Sequence, residues 1–340
     1  MPRKTEIKKI ASLKDLFRTF DTMKVLIIGD VMVDSYLWGN VDRISPEAPV
    51  PILSVNKRDY RLGGAANVAL NIQSLGATPI LCSVIGKDMD GDNFLKLMKN
   101  KKMMPKGIVK SKSRITTIKH RVISGSHHML RVDSEIDRNI NAQEADSLVK
   151  AAKKLIPACD AIIFEDYDKG VLTREVIEEI IAFAKKCGVP TIVDPKKRNF
   201  LHYKNASLFK PNKKEMKEGL KLDGDLKEIT EIRKAVSLLK KKLNNETVLI
   251  TLSEKGIYID QDKEKHHIPA HLREISDVSG AGDTVVSVAA LCYALNLPPK
   301  FLAGLSNLAG GIVCEHVGVV PVNKKDLLKE ATRLGLEGDL

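Results

Sequence analysis

Residues 277–295 read DVSGAGDTVVSVAALCYAL, a glycine-rich turn that runs into an apolar stretch of helical length. A turn of this kind aims free backbone N–H groups and the positive end of the helix dipole at one point, where developing negative charge can be held. Gly280, Ala281 and Gly282 are therefore the candidate anion hole. Asp283 stands at the helix start, where a carboxylate can take a proton from a substrate hydroxyl or orient it. Taken alone, the same residues also make a tight turn and a helix cap, so a catalytic reading needs a second motif.

Residues 61–69, RLGGAANVA, offer one. A diglycine ahead of a helix lets backbone approach a ligand closely, and the Asn67 amide can both donate and accept. The chain has no GxxxxGKS or GxxxxGKT loop and no GxGxxG after a strand, which argues against a P-loop kinase and a dinucleotide-binding dehydrogenase.

Outward from these motifs, strand and helix signals alternate. Residues 24–29, 80–85, 161–165, 191–194 and 248–252 are short apolar runs ending in small or polar residues, as buried parallel strands do. Between them, Val68, Ile72 and Leu75 stop at Gly76, and Ile177, Ile180, Ile181 and Ala184 stop at Gly188, at helical spacing with glycine as the terminator. The pattern predicts an α/β fold with a mostly parallel sheet covered by helices on both faces. Residues 36–57 and 114–133 break the rhythm: they are rich in β-branched residues with no helix between their strands, which predicts hairpins forming a lid. Ile7, Ile10, Leu13, Phe17 and Phe20 predict an amphipathic helical extension over residues 1–21, appended to a main domain over 22–340.

Of the 340 residues, 43% are hydrophobic and 29% charged, enough for a large core and against disorder. No apolar run reaches the roughly 18 residues of a membrane span, and the amino terminus lacks a signal-peptide core. Five dispersed cysteines without a CxxC pair fit buried thiols in a reducing compartment, so a cytoplasmic protein is expected. The net charge is +12, and residues 96–121 hold ten Lys/Arg and no acid. With only 4% aromatics and no stacking motif, this reads as a solvated face or an attraction for a small phosphorylated substrate, not as a nucleic-acid site. His267 and His271 flank Pro269, which breaks the helix that would align them on a metal.

In their order along the chain, the two glycine motifs resemble the GGxxxN and DxxGAGD signatures of the ribokinase-like carbohydrate kinases, and Asn212, Lys213, Lys214 and Glu215 match the NxxE element between them. Residues 29–53, 62–77, 166–173 (DYDKGVLT), 194–196 (DPK) and 277–285 look like the branch of that family acting on heptose 7-phosphate. Lys197 departs from a common glycine, and Lys210 from a usual neutral residue. The resemblance implies a ribokinase-like sheet with a small β lid and ATP-dependent phosphorylation of D-glycero-D-manno-heptose 7-phosphate at its anomeric hydroxyl. The product would be the 1,7-bisphosphate, for ADP-heptose and lipopolysaccharide core synthesis. A kinase for another sugar or sugar phosphate is the alternative; a non-catalytic sensor would not require Asp283.

Residue by residue, the resemblance implies that Asp30 and Asp34 hold sugar hydroxyls, with Gly63, Gly64 and Asn67 in the same pocket. Arg43, Lys169 and Lys196 are expected on the substrate phosphate. Asn212, Lys213, Lys214, Glu215, Ser253, Gly256 and Asn307 are expected along ATP, with Asn212 and Glu215 holding Mg2+ through water. A homodimer through the lid and a separate adenylyltransferase enzyme complete the expectation.

Overall fold

The computed structural model describes residues 10–125, 127–271 and 273–340. Its strands are β1 (Lys24–Gly29), β2 (Val31–Ile44), β3 (Pro51–Gly64), β4 (Thr78–Gly86), β5 (Gly107–Ser111), β6 (Ile118–Ser124) and β7 (His127–Ser134). They continue with β8 (Ala161–Glu165), β9 (Thr191–Asp194), β10 (Leu208–Phe209), β11 (Thr247–Thr251), β12 (Ile257–Gln261) and β13 (Glu264–Ile268). The helices are α1 (Leu13–Phe20), α2 (Ala65–Ser74), α3 (Met89–Asn100), α4 (Ala142–Leu155) and α5 (Arg174–Cys187). After them come α6 (Lys213–Leu220), α7 (Ile229–Leu243), α8 (Ala281–Ala294), α9 (Pro299–Val313) and α10 (Lys324–Arg333).

Nine strands form one sheet in the order β13-β12-β11-β10-β9-β8-β1-β4-β5, parallel except where β12 and β13 turn back at one edge. The apolar runs read as strands from the sequence are strands, each within two residues at either end. They are apolar throughout because both faces are covered: Val25 and Ile27 of β1 pack with α2, α8 and α9, whereas Leu26 and Ile28 pack with α4 and α5. Helix α8 is apolar nearly all round because it lies inside this packing, against both α2 and α9. Its position puts the GAGD turn at the carboxyl ends of the central strands, where open α/β sheets bind ligands.

The two predicted hairpins become one second sheet, in the order β3-β2-β6-β7. The first hairpin is longer than expected, since β2 starts at Val31 and β3 ends at Gly64; Val31, Met32, Val33 and Leu62 are buried at its root and stay extended. Parallel pairing of β2 with β6 then joins the hairpins, with Tyr36 opposite Arg121. Helix α1 does not stand apart from the domain. Leu13, Leu16, Phe17 and Phe20 are buried in the same core as α8 to α10, and the Leu13 amide donates to Glu337 at 2.9 Å. Ile7, expected on this helix, lies outside the described residues.

Candidate active site

Strand β1 ends one residue before Asp30, whose carboxylate accepts the backbone N–H groups of Tyr167 (2.9 Å), Lys169 (3.1 Å) and Val171 (3.0 Å). Burial raises its pKa and these three donors oppose the rise. Asp30, expected on sugar hydroxyls, thus clamps the turn after β8. Its neighbour in that turn, Asp166, is pushed up to about 7 by burial and accepts from Tyr203 and Asn199.

The turn delivers Tyr167 to the GAGD corner. The Tyr167 hydroxyl donates to Asp283 Oδ1 at 2.9 Å, and the Asn67 amide donates to Asp283 Oδ2 at 2.6 Å. Asn67 comes from the first turn of α2, behind a diglycine that nothing larger could replace. At Gly63 a Cβ would lie 2.3 Å from Asp34 Oδ2, and Gly64 has φ +59° with its Cβ site 2.5 Å from the Asp30 carbonyl. Gly280, at φ +80°, turns the chain into α8 with Asn67 Nδ2 3.3 Å from its Cβ site. Of the expected anion hole, the Ala281 amide donates to Val278 O at 3.3 Å, while those of Gly280 and Gly282 have no acceptor among the described residues.

Asp283 is 7% exposed, and burial, reinforced by nearby Asp194, raises its pKa to about 6 against the lowering effect of Asn67 and Tyr167. Glu165 and Asp194, the last residues of adjacent strands in register, place carboxylate oxygens within 4.8 Å of one another and of Asp283. Burial and the two neighbouring acids hold the Glu165 pKa well above the usual range, and its Oε2 has no hydrogen-bond partner. Two lysines balance this acidity. Lys210 is buried with Nζ 2.8 Å from Asp194, and Lys196 Nζ lies 2.6 Å from Glu215, 4.0 Å from Asp194 and 5.4 Å from the centre of the Tyr167 ring. Burial works against both ammonium charges, but the carboxylates prevail and keep their pKa values raised.

Asn212 and Glu215 form a reciprocal cap on α6: Asn212 Oδ1 accepts from the Glu215 amide and Glu215 Oε2 from the Asn212 amide, both at 2.8 Å. Their oxygen donors, together with Asp194, suit a hard cation held through water, and the ammonium of Lys196 already sits between two of them. Lys213 and Lys214 follow on the first turn of α6, Lys214 exposed and paired with Glu218 at 3.9 Å. Ser253 and Gly256 form the β11–β12 connection, and Asn307 of α9 donates to Pro269 O at 2.8 Å; both lie on the antiparallel edge of the same carboxyl end.

The remaining substrate candidates are divided. Asp34 is paired with Arg121, and Lys169 Nζ is paired with Glu135 at 2.6 Å. Arg43 is exposed near the far end of β2, opposite Ile52. Sequence reasoning gave no role to Glu165, Tyr167, Asp194 or Lys210. The available signal was the strand ends: Glu165 and Asp194 each close an apolar run, and Tyr167 lies in the quoted DYDKGVLT segment.

A buried carboxylate at a helix start, open amides beside it and two lysines form a site able to deprotonate a hydroxyl and offset the charge of a transferring phosphoryl group. Residues 22–326 match the sequence pattern of the pfkB family carbohydrate kinases. The chain belongs to that family. As a pfkB-family carbohydrate kinase, it is similar to two curated proteins called bifunctional protein HldE. The one from Desulfatibacillum aliphaticivorans is 38% identical over 309 residues, 91% of this chain and 63% of that protein. The one from Syntrophotalea carbinolica is 36% identical over 340 residues, 99% of this chain and 67% of that protein. The chain thus spans about three-fifths to two-thirds of these relatives' lengths. Among solved structures, phosphofructokinase-2 from Escherichia coli has a TM-score of 0.76 at 18% identity, covering 92% of this chain and 99% of that one. Arabidopsis thaliana ribokinase, complexed with ribose and ATP, has a TM-score of 0.70 at 15% identity, covering 90% and 99%. These likenesses agree with the large, mostly parallel sheet flanked by helices. Among the described residues, no helix is long and apolar enough to cross a membrane.

Proposed function

We propose that this sugar kinase transfers the γ-phosphoryl group of ATP to the anomeric hydroxyl of D-glycero-D-manno-heptose 7-phosphate, giving heptose 1,7-bisphosphate. The observation that carries the chemistry is Asp283, held between the Asn67 amide and the Tyr167 hydroxyl at the start of α8. Asp283 takes the hydroxyl proton as the oxygen attacks, and the Gly280 and Gly282 amides face the charge that gathers on the transferred group. Lys196 and Lys210 add positive charge on the side of Asp194 and Glu215. Mg2+, held through water by Asn212 and Glu215, would supply charge neutralisation at the ATP phosphates. Lys213, Lys214, Ser253, Gly256 and Asn307 border the nucleotide in this reading.

The heptose assignment rests on the segments quoted above and on similarity to the HldE proteins. The second sheet acts as a lid over the acceptor, and its exposed apolar residues, Leu130 and Val132 among them, suit pairing with a second copy. An adenylyltransferase activity would then act later on the product's pathway in the cytoplasm, where ATP is available. ADP release measured across a panel of sugars and sugar phosphates tests the assignment. Highest kcat/KM on heptose 7-phosphate is expected, and a clear preference for ribose, fructose or fructose 6-phosphate would overturn it.

A further inference from the structure

The face of the second sheet that borders the catalytic corner carries two arginines whose N–H groups are only partly used by carboxylates. Tyr36, only 5% exposed, has the Arg61 guanidinium 4.6 Å and the Arg121 guanidinium 5.3 Å from its ring centre. Trp38 stacks on the same ring at 6.1 Å. Arg61 uses Nε and Nη2 on Asp59, and Arg121 uses Nη1 on Asp34. Arg61 Nη1, Arg121 Nε and Nη2, Tyr36 Oη and Trp38 Nε1 have no acceptor among the described residues, and Trp38 Nε1 is buried. Arg121 lies directly opposite Arg131, and each has its own carboxylate, Asp34 for Arg121 and Asp133 at 3.1 Å for Arg131.

This face is continuous with the acceptor pocket. Asp34 touches the Gly63 position, Arg61 Nη1 lies 3.5 Å from the Cβ site of Gly318, and the Gly318 amide donates to Asp277 of the GAGD loop at 2.9 Å. The face therefore lies beside the hydroxyl end of the site without sharing its base. Asp34, Asp59 and Asp133 share the face, yet the N–H groups of Arg61 and Arg121 beyond those pairs form open forks that match the geometry of a phosphate.

We infer that Arg61 and Arg121, with the Tyr36 hydroxyl between them, form the subsite that reads the phosphate already carried by the acceptor sugar; this rests on the sugar-phosphate reading above. Lys169 and Lys196 are paired with Glu135 and Glu215 as Arg61 and Arg121 are with Asp59 and Asp34, but a planar guanidinium keeps further N–H groups in a fork that fits a phosphate. Arg61 and Arg121 are 35% and 19% exposed at the side chain, accessible enough to meet a ligand and held by the ring they flank.

The test compares heptose 7-phosphate with heptose, with inorganic phosphate as a competing inhibitor, in the wild type and in Arg61→Met, Arg121→Lys and Tyr36→Phe. The wild type alone tests the parent reading: without a preference for the phosphorylated sugar, that reading and the subsite both fall. Given the preference, Arg61→Met is expected to raise the KM for heptose 7-phosphate about ten-fold or more, with KM for heptose and ATP changed less than about two-fold. Inhibition by inorganic phosphate should weaken in parallel. Arg121→Lys and Tyr36→Phe, the milder changes, should shift the same ratio in the same direction. Equal effects on both acceptors in all three variants would overturn the subsite while leaving the heptose 7-phosphate reading intact. Loss of discrimination in Lys169→Ala or Lys196→Ala, with none in the arginine variants, would overturn it as well.

Discussion

Asn67 and Asp283 are 216 residues apart in the chain and are joined by a 2.6 Å hydrogen bond. The bond ties the first turn of α2 to the first turn of α8, and with it the two glycine motifs become one site. Thr284 repeats the connection one step deeper, donating to Asn71 Oδ1 at 3.0 Å. The amide fixes one carboxylate oxygen of Asp283 and the Tyr167 hydroxyl the other, so an acceptor hydroxyl meets a base that is already oriented.

Asp283→Asn is expected to lower kcat by about 100-fold or more, because an amide keeps the shape but cannot take the proton. The same change should stabilise the fold at neutral pH. The folded pKa of about 6 exceeds the reference 3.8, so the folded state holds the proton more tightly and loses stability as pH rises through that interval. The cost at neutral pH is at most about 3 kcal/mol. Melting curves should place the variant above the wild type at pH 7.5, with the gap closing toward pH 4. A variant that melts lower at pH 7.5 would show that the buried charge is not the dominant strain.

The same pKa sets the acid limb of activity. The base must be ionised, so kcat/KM should fall as pH drops through about 6 and be level above it. Asn67 lowers this pKa by donating to the carboxylate, so Asn67→Ala should move the limb to higher pH as well as reduce the plateau. A pH profile of the variant with an unmoved limb would assign the titration to another group.

Lys210 and Asp194 are both almost wholly buried, and their ion pair braces β9 against the segment leading to α6. Lys210→Met leaves a carboxylate among acids with only Lys196 nearby, and should cost about 3 to 5 kcal/mol in urea unfolding. Adding Asp194→Asn to that variant removes the uncompensated charge and should regain part of the loss; strict additivity of the two changes would argue against a direct pairing.

Closure of the second sheet over the acceptor is expected to slow backbone hydrogen exchange in residues 36–57 and 114–133 when heptose 7-phosphate is added. Exchange unchanged in both segments at saturating sugar would remove the lid from the mechanism.

By itself, the sequence determined the α/β class, because strands buried on both faces must be continuously apolar and glycines must stop the helices between them. It also determined the GAGD turn, whose Gly280 adopts the positive φ that the turn requires. Local signals of this kind reside in neighbouring residues and can be read without partners. Tertiary structure alone decided that the two hairpins share one sheet through β2 and β6, since parallel pairing leaves no mark in either segment. It also decided that Glu165, Tyr167, Asp194 and Lys210 surround Asp283, and that Asp30 clamps a turn. Their roles depend on which charges burial brings together: a lysine at position 210 looks like surface until its partner at 194 is buried beside it. The interaction energies that matter here act through space, and only the folded chain fixes those distances.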